Sequence, residues 1–167
     1  MGLPNNAMEI TLRRAAKRDL PEIRRMLFEL GAYHAALKPE LCRATPQLQE
    51  PKALRKRMLK PKNRRVYLAV DGQGHACGLL HLFWETRRNP VLLDCKYVMI
   101  EDIYVEERLR GQGIGRLLMR KAREEARACG AESIELNVWA CNEAALGFYE
   151  KEGFTPWLRR MQFSVTQ

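Results

Sequence analysis

No stretch of the chain approaches the ~18 consecutive apolar residues that a membrane-crossing helix needs. The five cysteines, at 42, 77, 95, 129 and 141, are odd in number and never spaced Cys-x-x-Cys. They read as reduced thiols of a cytoplasmic protein rather than as disulfides or zinc ligands. The three histidines, His34, His75 and His81, have no metal-ligand spacing either, so no metal is expected. Met1 to Ala7 lacks the charged and apolar regions of a secretory signal. There is no repeat, low-complexity tract or linker. Aromatic residues make up only 8% of the chain, and the basic runs at 55–57 and 60–65 carry none between them. No nucleic-acid motif or stacking platform is therefore legible.

What is present is the composition of an ordinary globular chain, 46% hydrophobic and 29% charged. At 167 residues it is long enough to bury a real core. Residues 1–8 read as an N-terminal extension and 9–167 as a single domain. The net charge of +9 fits a solvated basic face, attraction of a polyanionic cofactor, or an acidic partner.

The most informative stretch is Val98 to Arg127. Val98-Met99-Ile100-Glu101-Asp102-Ile103-Tyr104-Val105 is short, β-branched and aromatic, and reads as a buried strand. An arginine-rich turn follows, then Arg110-Gly111-Gln112-Gly113-Ile114-Gly115. Beyond it Ile114, Leu117, Leu118, Ala122, Ala126 and Cys129 fall on one helical face. A strand, glycine turn and helix in that order aim unpaired N–H groups and a positive dipole end at one spot, suited to a phosphate. The dinucleotide fingerprint fails, because a sixth-position glycine is replaced by Arg116 or Leu118. The P-loop fails too, since Gly115-Arg116-Leu117 supplies no Gly-Lys-Ser/Thr.

Around this stretch, Glu9 to Arg14 alternates as a first strand. Asp19, with Pro21 and Glu22, marks a helix start, and Leu20, Ile23, Leu27 and Leu30 form its buried stripe up to Gly31. A short helix is expected from Pro51 to Leu59. Val66 to Val70 and His75 to Trp84 flank the hairpin turn Asp71-Gly72-Gln73-Gly74. Ser133 to Val138 reads as a strand, Asn142 to Glu152 as a short helix, and Phe154 to Val165 as one or two final strands. The pattern implies an α/β fold with a mixed sheet and helices on both faces.

Arg-x-x-Gly-x-Gly, formed by Arg110, Gly113 and Gly115, resembles the acyl-CoA pyrophosphate loop of the GNAT superfamily of N-acetyltransferases. About thirty residues on, Asn142-Glu143-Ala144-Ala145-Leu146-Gly147-Phe148-Tyr149, continuing to Gly153-Phe154, is similar to the family's Asn-x-x-Ala-x-x-Phe-Tyr-x-x-x-Gly-Phe segment. The resemblance spans roughly Glu9 to Val165. Ile100 to Val105 resembles the Glu-Asp strand of the diamine and polyamine acetyltransferases, although residues 32–65 offer no acidic cluster for a polycation, Glu40 and Glu50 being their only acids.

The resemblance implies a mostly antiparallel sheet with two splayed parallel strands, binding acetyl-CoA as co-substrate. Ile103 and Val105 would pair with pantetheine. Arg108, Arg110, Gly111, Gln112, Gly113, Ile114 and Gly115 would hold the pyrophosphate, with Arg116 or Arg120 reaching the remaining phosphate. Asn142 would border the cofactor or cap its own helix. Tyr149 would sit at the thioester sulfur and stabilise the departing thiolate. Glu101 and Asp102 are the candidate base or docking acids for a primary amine. In a regular strand they point to opposite faces, so only one serves unless a bulge intervenes. Arg13 or Arg14 could instead hold them as a structural pair. Cys141 has no histidine near it in sequence, so direct transfer in a ternary complex is favoured over an acyl-cysteine. The alternatives are a protein or peptide acetyltransferase, a non-catalytic acyl-CoA binder or a basic nucleic-acid module; a homodimer fits any of them.

Overall fold

The structure is a computed structural model that describes residues 9–43 and 50–165. The expected extension over residues 1–8 lies outside them. The chain clusters into two compact units, Met1–Asn137 and Val138–Gln167.

The first unit is built on one sheet of order β1-β2-β3-β4-β5. Its strands are β1 (Thr11–Arg14), β2 (Arg64–Val70), β3 (Ala76–Arg87), β4 (Cys95–Val105) and β5 (Ser133–Leu136). The first four pair antiparallel, and β5 runs parallel to β4. Among the described residues its α-helices are α1 (Leu20–Leu37), α2 (Pro51–Met58) and α3 (Ile114–Cys129), the last forming the β4–β5 crossover. The mixed α/β fold expected from the sequence is the one observed.

Strand alternation divides the core between two faces. Val66, Leu68 and Val70 of β2 cluster with Ile23, Met26 and Leu27 of α1 and with Leu54 and Met58 of α2. The intervening Tyr67 faces α3, where its hydroxyl donates to Glu125 at 2.6 Å and Lys121 lies over its ring. Gly78 of β3 lets α3 come close. A Cβ there would meet Ala69 Cβ at 3.1 Å and Ile114 Cγ2 at 3.3 Å. The start of α3, and the turn before it, are thereby pressed onto the sheet.

Three sequence expectations are corrected. Helix α1 continues through Gly31 to Leu37. A glycine in a helix interior costs only about 1 kcal/mol, which burial of Ala35 and of the rest of the stripe outweighs. Asp19 does not cap α1 through its side chain. Its carboxylate takes both terminal nitrogens of Arg13, at 2.7 and 2.8 Å, and the Ala16 amide at 2.7 Å. Lastly, no strand forms among the described residues of 154–165. Met161, Phe163 and Val165 alternate as a strand would but are 86–87% exposed, and alternation without a hydrogen-bonding neighbour makes no sheet.

The Arg13–Asp19 pair yields a stability prediction. The Arg13 hydrogen bonds, supported by the Ala16 amide, hold the Asp19 carboxyl below its ordinary range. Asp19→Asn should cost about 2–3 kcal/mol at neutral pH, less than for a fully buried pair because Arg13 is partly open to solvent. A depressed folded-state pKa contributes fully above the unfolded value of about 3.9 and is lost as pH falls below it. Urea titrations of both proteins should therefore diverge at pH 7 and converge as pH falls from the ordinary carboxylate range through the depressed Asp19 value.

In the second unit, α4 (Glu143–Lys151) is capped by Asn142, whose Oδ1 accepts from the Ala145 amide at 3.2 Å. No helix of the described residues is long and apolar enough to cross a membrane.

Candidate functional site

β4 stays paired to β3 as far as Val105, opposite Gly78. Its pairing with β5 stops at Ile100 opposite Leu136. Among the described residues, 101–105 therefore have a strand on one side only, and Ile103 lies on this half-open segment. The carbonyl of Val105 accepts from Arg110 Nε at 3.2 Å.

The parting begins at a bulge. His81 pairs with Asp102 and Leu82 with Ile100, leaving Glu101 as the extra residue. A bulge re-aims side chains, and here it brings both acids to one histidine. His81 Nδ1 lies 2.8 Å from Asp102 Oδ2, and Nε2 lies 3.6 Å from Glu101 Oε2. His81 is fully buried. Arg64 Nη1, which can only donate, is 3.1 Å from Nε2. That makes Nε2 the acceptor and Nδ1–H the donor to Asp102. Glu101 also carries Arg57 on Oε1 at 3.3 Å and Arg64 on Oε2. The arginines on this acid are thus 57 and 64, not 13 or 14. Among the described residues Asp102 has no arginine or lysine as an ion-pair partner.

Past β4 a single 3-10 turn, Glu107–Leu109, anchors on the buried Leu109 and leads to the glycine turn. Gly111 and Gly113 have φ of +78° and +87°, a region that L side chains avoid. Gly113 caps α3, whose first turn contains no acid to compete with an anion. Arg108 pairs with Glu106 at 2.9 Å, and Arg110 lies 5.1 Å over the Tyr33 ring. Gln112 donates to the Arg108 carbonyl at 3.3 Å. An open groove of about 780 Å³ runs beside these residues, lined among others by Tyr33, Tyr104, Arg108 and Arg110. The cradle fits a diphosphate: open glycine backbone, a helix N-terminus and two arginines.

In the second unit Tyr149 packs between Phe148 and Phe154, with ring centroids 5.4 and 5.8 Å away. Burial pushes its phenol up to about 12. Cys141 is exposed.

The structure thus gathers Glu101 with Asp102 at the bulge, and Arg108 to Gly115 at the turn. Sequence reasoning missed His81, Arg57 and Arg64. One signal for His81 was available: it interrupts the apolar run Leu79-Leu80-His81-Leu82, and a lone polar group in a buried strand needs partners.

The model of the acetyltransferase (GNAT) family matches residues 32–154. The chain belongs to that family. It is 36% identical over 93 residues to streptothricin acetyltransferase from Streptomyces lavendulae, covering 54% of this chain and 44% of that protein. It spans about half the length or less of the first three curated relatives it matches, at 44%, 55% and 38%. In fold it is similar to a variant of the BH1408 protein from Bacillus halodurans, at TM-score 0.87 and 23% identity over 93% of this chain and 99% of that one. It is also similar to aminoglycoside N-acetyltransferase AAC(6')-Iy in complex with CoA, at TM-score 0.72 and 16% identity over 99% of both chains. At such identities these two structures speak to the fold alone.

Proposed function

We propose that the protein is an N-acetyltransferase that moves the acetyl group of acetyl-CoA to a primary amine by direct attack. The observation that carries this reading is the bulge at Glu101, which sets two acids and a buried histidine where β4 leaves β5. The glycine turn follows the same strand. The half-open segment at Ile103 suits the amides of pantetheine, since buried N–H and C=O groups need partners. The turn and its two arginines suit the pyrophosphate. Acetyl-CoA supplies the activated acyl group; the rest is done by side chains.

An alkylammonium of pKa about 10.4 must lose a proton before it attacks, at a cost of about 4–5 kcal/mol at pH 7. Asp102 is the better proton acceptor of the two, directly or through water, because among the described residues no arginine or lysine pairs with it and the His81 Nδ1–H orients it. Glu101, with a guanidinium on each oxygen, is the positioning acid. Its two arginines also work against the polycationic acceptor that the Glu-Asp strand suggests. Tyr149 donates a hydrogen bond to the developing thiolate.

Calorimetric titration with acetyl-CoA at moderate salt tests the reading, together with free-thiol release over a panel of amines. Binding is expected in the micromolar range, KM values of enzymes running about 1 μM–1 mM. No heat and no thermal shift at millimolar ligand would remove the cofactor assignment. Binding without thiol release on any amine would leave a non-catalytic acyl-CoA binder.

A further inference from the structure

A second cavity lies on the sheet face that carries α1 and α2, walled by the β1 end, α2 and the start of β2. It has a volume of about 260 Å³, below the roughly 300–1,000 Å³ typical of sites for drug-sized ligands. Arg14, Lys17, Arg55, Lys60 and Arg64 line it, over an apolar floor that includes Met58 and Val66, and no acid does. Among the described residues no ion pair engages Arg14, Lys17, Arg55 or Lys60. The residues outside the description, 1–8, 44–49 and 166–167, contain no Asp or Glu. The C-terminal end of α2 is partially negative and accounts for some of this cationic density. It does not account for Arg14, Lys17 or Arg64, which come from other elements.

Arg64 joins this cavity to the candidate catalytic cluster. It lines the pocket and also reaches His81 Nε2 and Glu101. Arg57, two residues after Arg55 on the same helix, holds the other Glu101 oxygen. A group in the pocket is therefore one arginine side chain away from the acids at the bulge. Arginine forks match carboxylate and phosphate geometry, and such charge-assisted bonds are the strong ones.

We propose that this pocket receives an oxyanion of the acceptor, so that the acceptor is a small primary amine that also carries a carboxylate or phosphate. The acceptor assignment rests on the transferase reading; anion binding by the pocket does not. The anion shares Arg64 with Glu101 and draws the guanidinium towards the pocket. The ammonium end of the acceptor then sits beside Glu101 and Asp102. A polyamine would meet five cations here, with no acid on the pocket wall.

Two measurements decide it. In the first, inorganic phosphate is titrated into the full chain and followed by amide chemical shifts, with and without saturating CoA to occupy the glycine turn. Shifts at Arg14, Lys17, Arg55 and Lys60 that survive CoA are expected. Arg55→Ala should weaken that site about 10–100-fold, as loss of a charge-assisted bond would, while Arg55→Lys should weaken it less. Thermal melts confirm that both variants fold. Shifts confined to Gly111–Arg116, or none at high millimolar phosphate, overturn the anion site.

In the second, thiol release is compared for ω-amino acids and aminoalkyl phosphates against carboxamides of equal length, each corrected for its free-amine fraction. An excess in kcat/KM of about tenfold or more for the anionic partner is expected, collapsing towards one in Arg14→Ala/Arg55→Ala. Turnover with a ratio of one in the unmodified protein sinks the acceptor proposal and leaves the transferase standing. No turnover of any amine defeats the transferase reading and this acceptor assignment with it, while the phosphate shifts still decide whether the pocket binds an anion.

Discussion

Replacing Tyr149 by phenylalanine should lower kcat about 10–1000-fold while changing acetyl-CoA affinity little. The size of the effect depends on what the hydroxyl does, and its environment narrows that. Burial pushes the phenol up to about 12, against a thiol near 8.5. Complete proton transfer to a departing thiolate is then uphill by about 5 kcal/mol. A hydrogen bond that strengthens as charge develops on sulfur faces no such penalty. In either role the raised phenol stays protonated through the neutral range, so Tyr149 adds no alkaline limb to the pH–rate profile there. The ring contacts with Phe148 and Phe154 survive the substitution, so stability should barely move. Single-turnover kinetics with a competent amine provide the check. Turnover at the unmodified rate, with chemistry rate-limiting, would make Tyr149 a packing residue and remove it from the mechanism.

The parts of the site that depend on local rules were legible in the sequence. Strand, glycine turn and helix over 98–129 need only a change of period and glycines where the backbone turns. Asn142 at the head of α4 follows from capping chemistry alone. What escaped depends on register between distant segments. The residue pair Glu101 and Asp102 looks like two opposite faces until His81 is known to pair with Asp102 and Leu82 with Ile100. The bulge is a property of the β3–β4 pairing, not of β4. The arginines on Glu101 come from α2 and β2, 44 and 37 residues earlier in the chain, and nothing local selects them over Arg13 or Arg14. Gly31 misled in the opposite sense: its local cost is real, but packing along α1 overrode it. Residues 154–165 show the same limit from the other side, with strand-like alternation and no partner strand.

Gly113→Val should cut acetyl-CoA affinity by about 100-fold or more, equivalent to about 2.7 kcal/mol. Gly113 holds φ at +87°, where a β-branched residue is a genuine outlier, and forcing one there costs about 1–3 kcal/mol. In a chain of this size that lowers Tm by several degrees. Strain alone would therefore explain lower stability without saying anything about phosphate. The space around the residue separates the two effects. A Cβ at Gly113 meets no heavy atom within 4 Å, so the turn itself does not obstruct the first carbon of a side chain, whereas a phosphate lying on the open backbone would. Asparagine tolerates the left-handed region and still carries a Cβ. Gly113→Asn should recover most of the lost Tm while binding acetyl-CoA nearly as poorly as the valine variant. Arg110→Ala, which removes a charge and leaves the backbone open, should cost only about tenfold, and less at high salt, where the pyrophosphate charge is screened. If Gly113→Asn binds acetyl-CoA as the unmodified protein does, the turn does not cradle the phosphates through its open backbone.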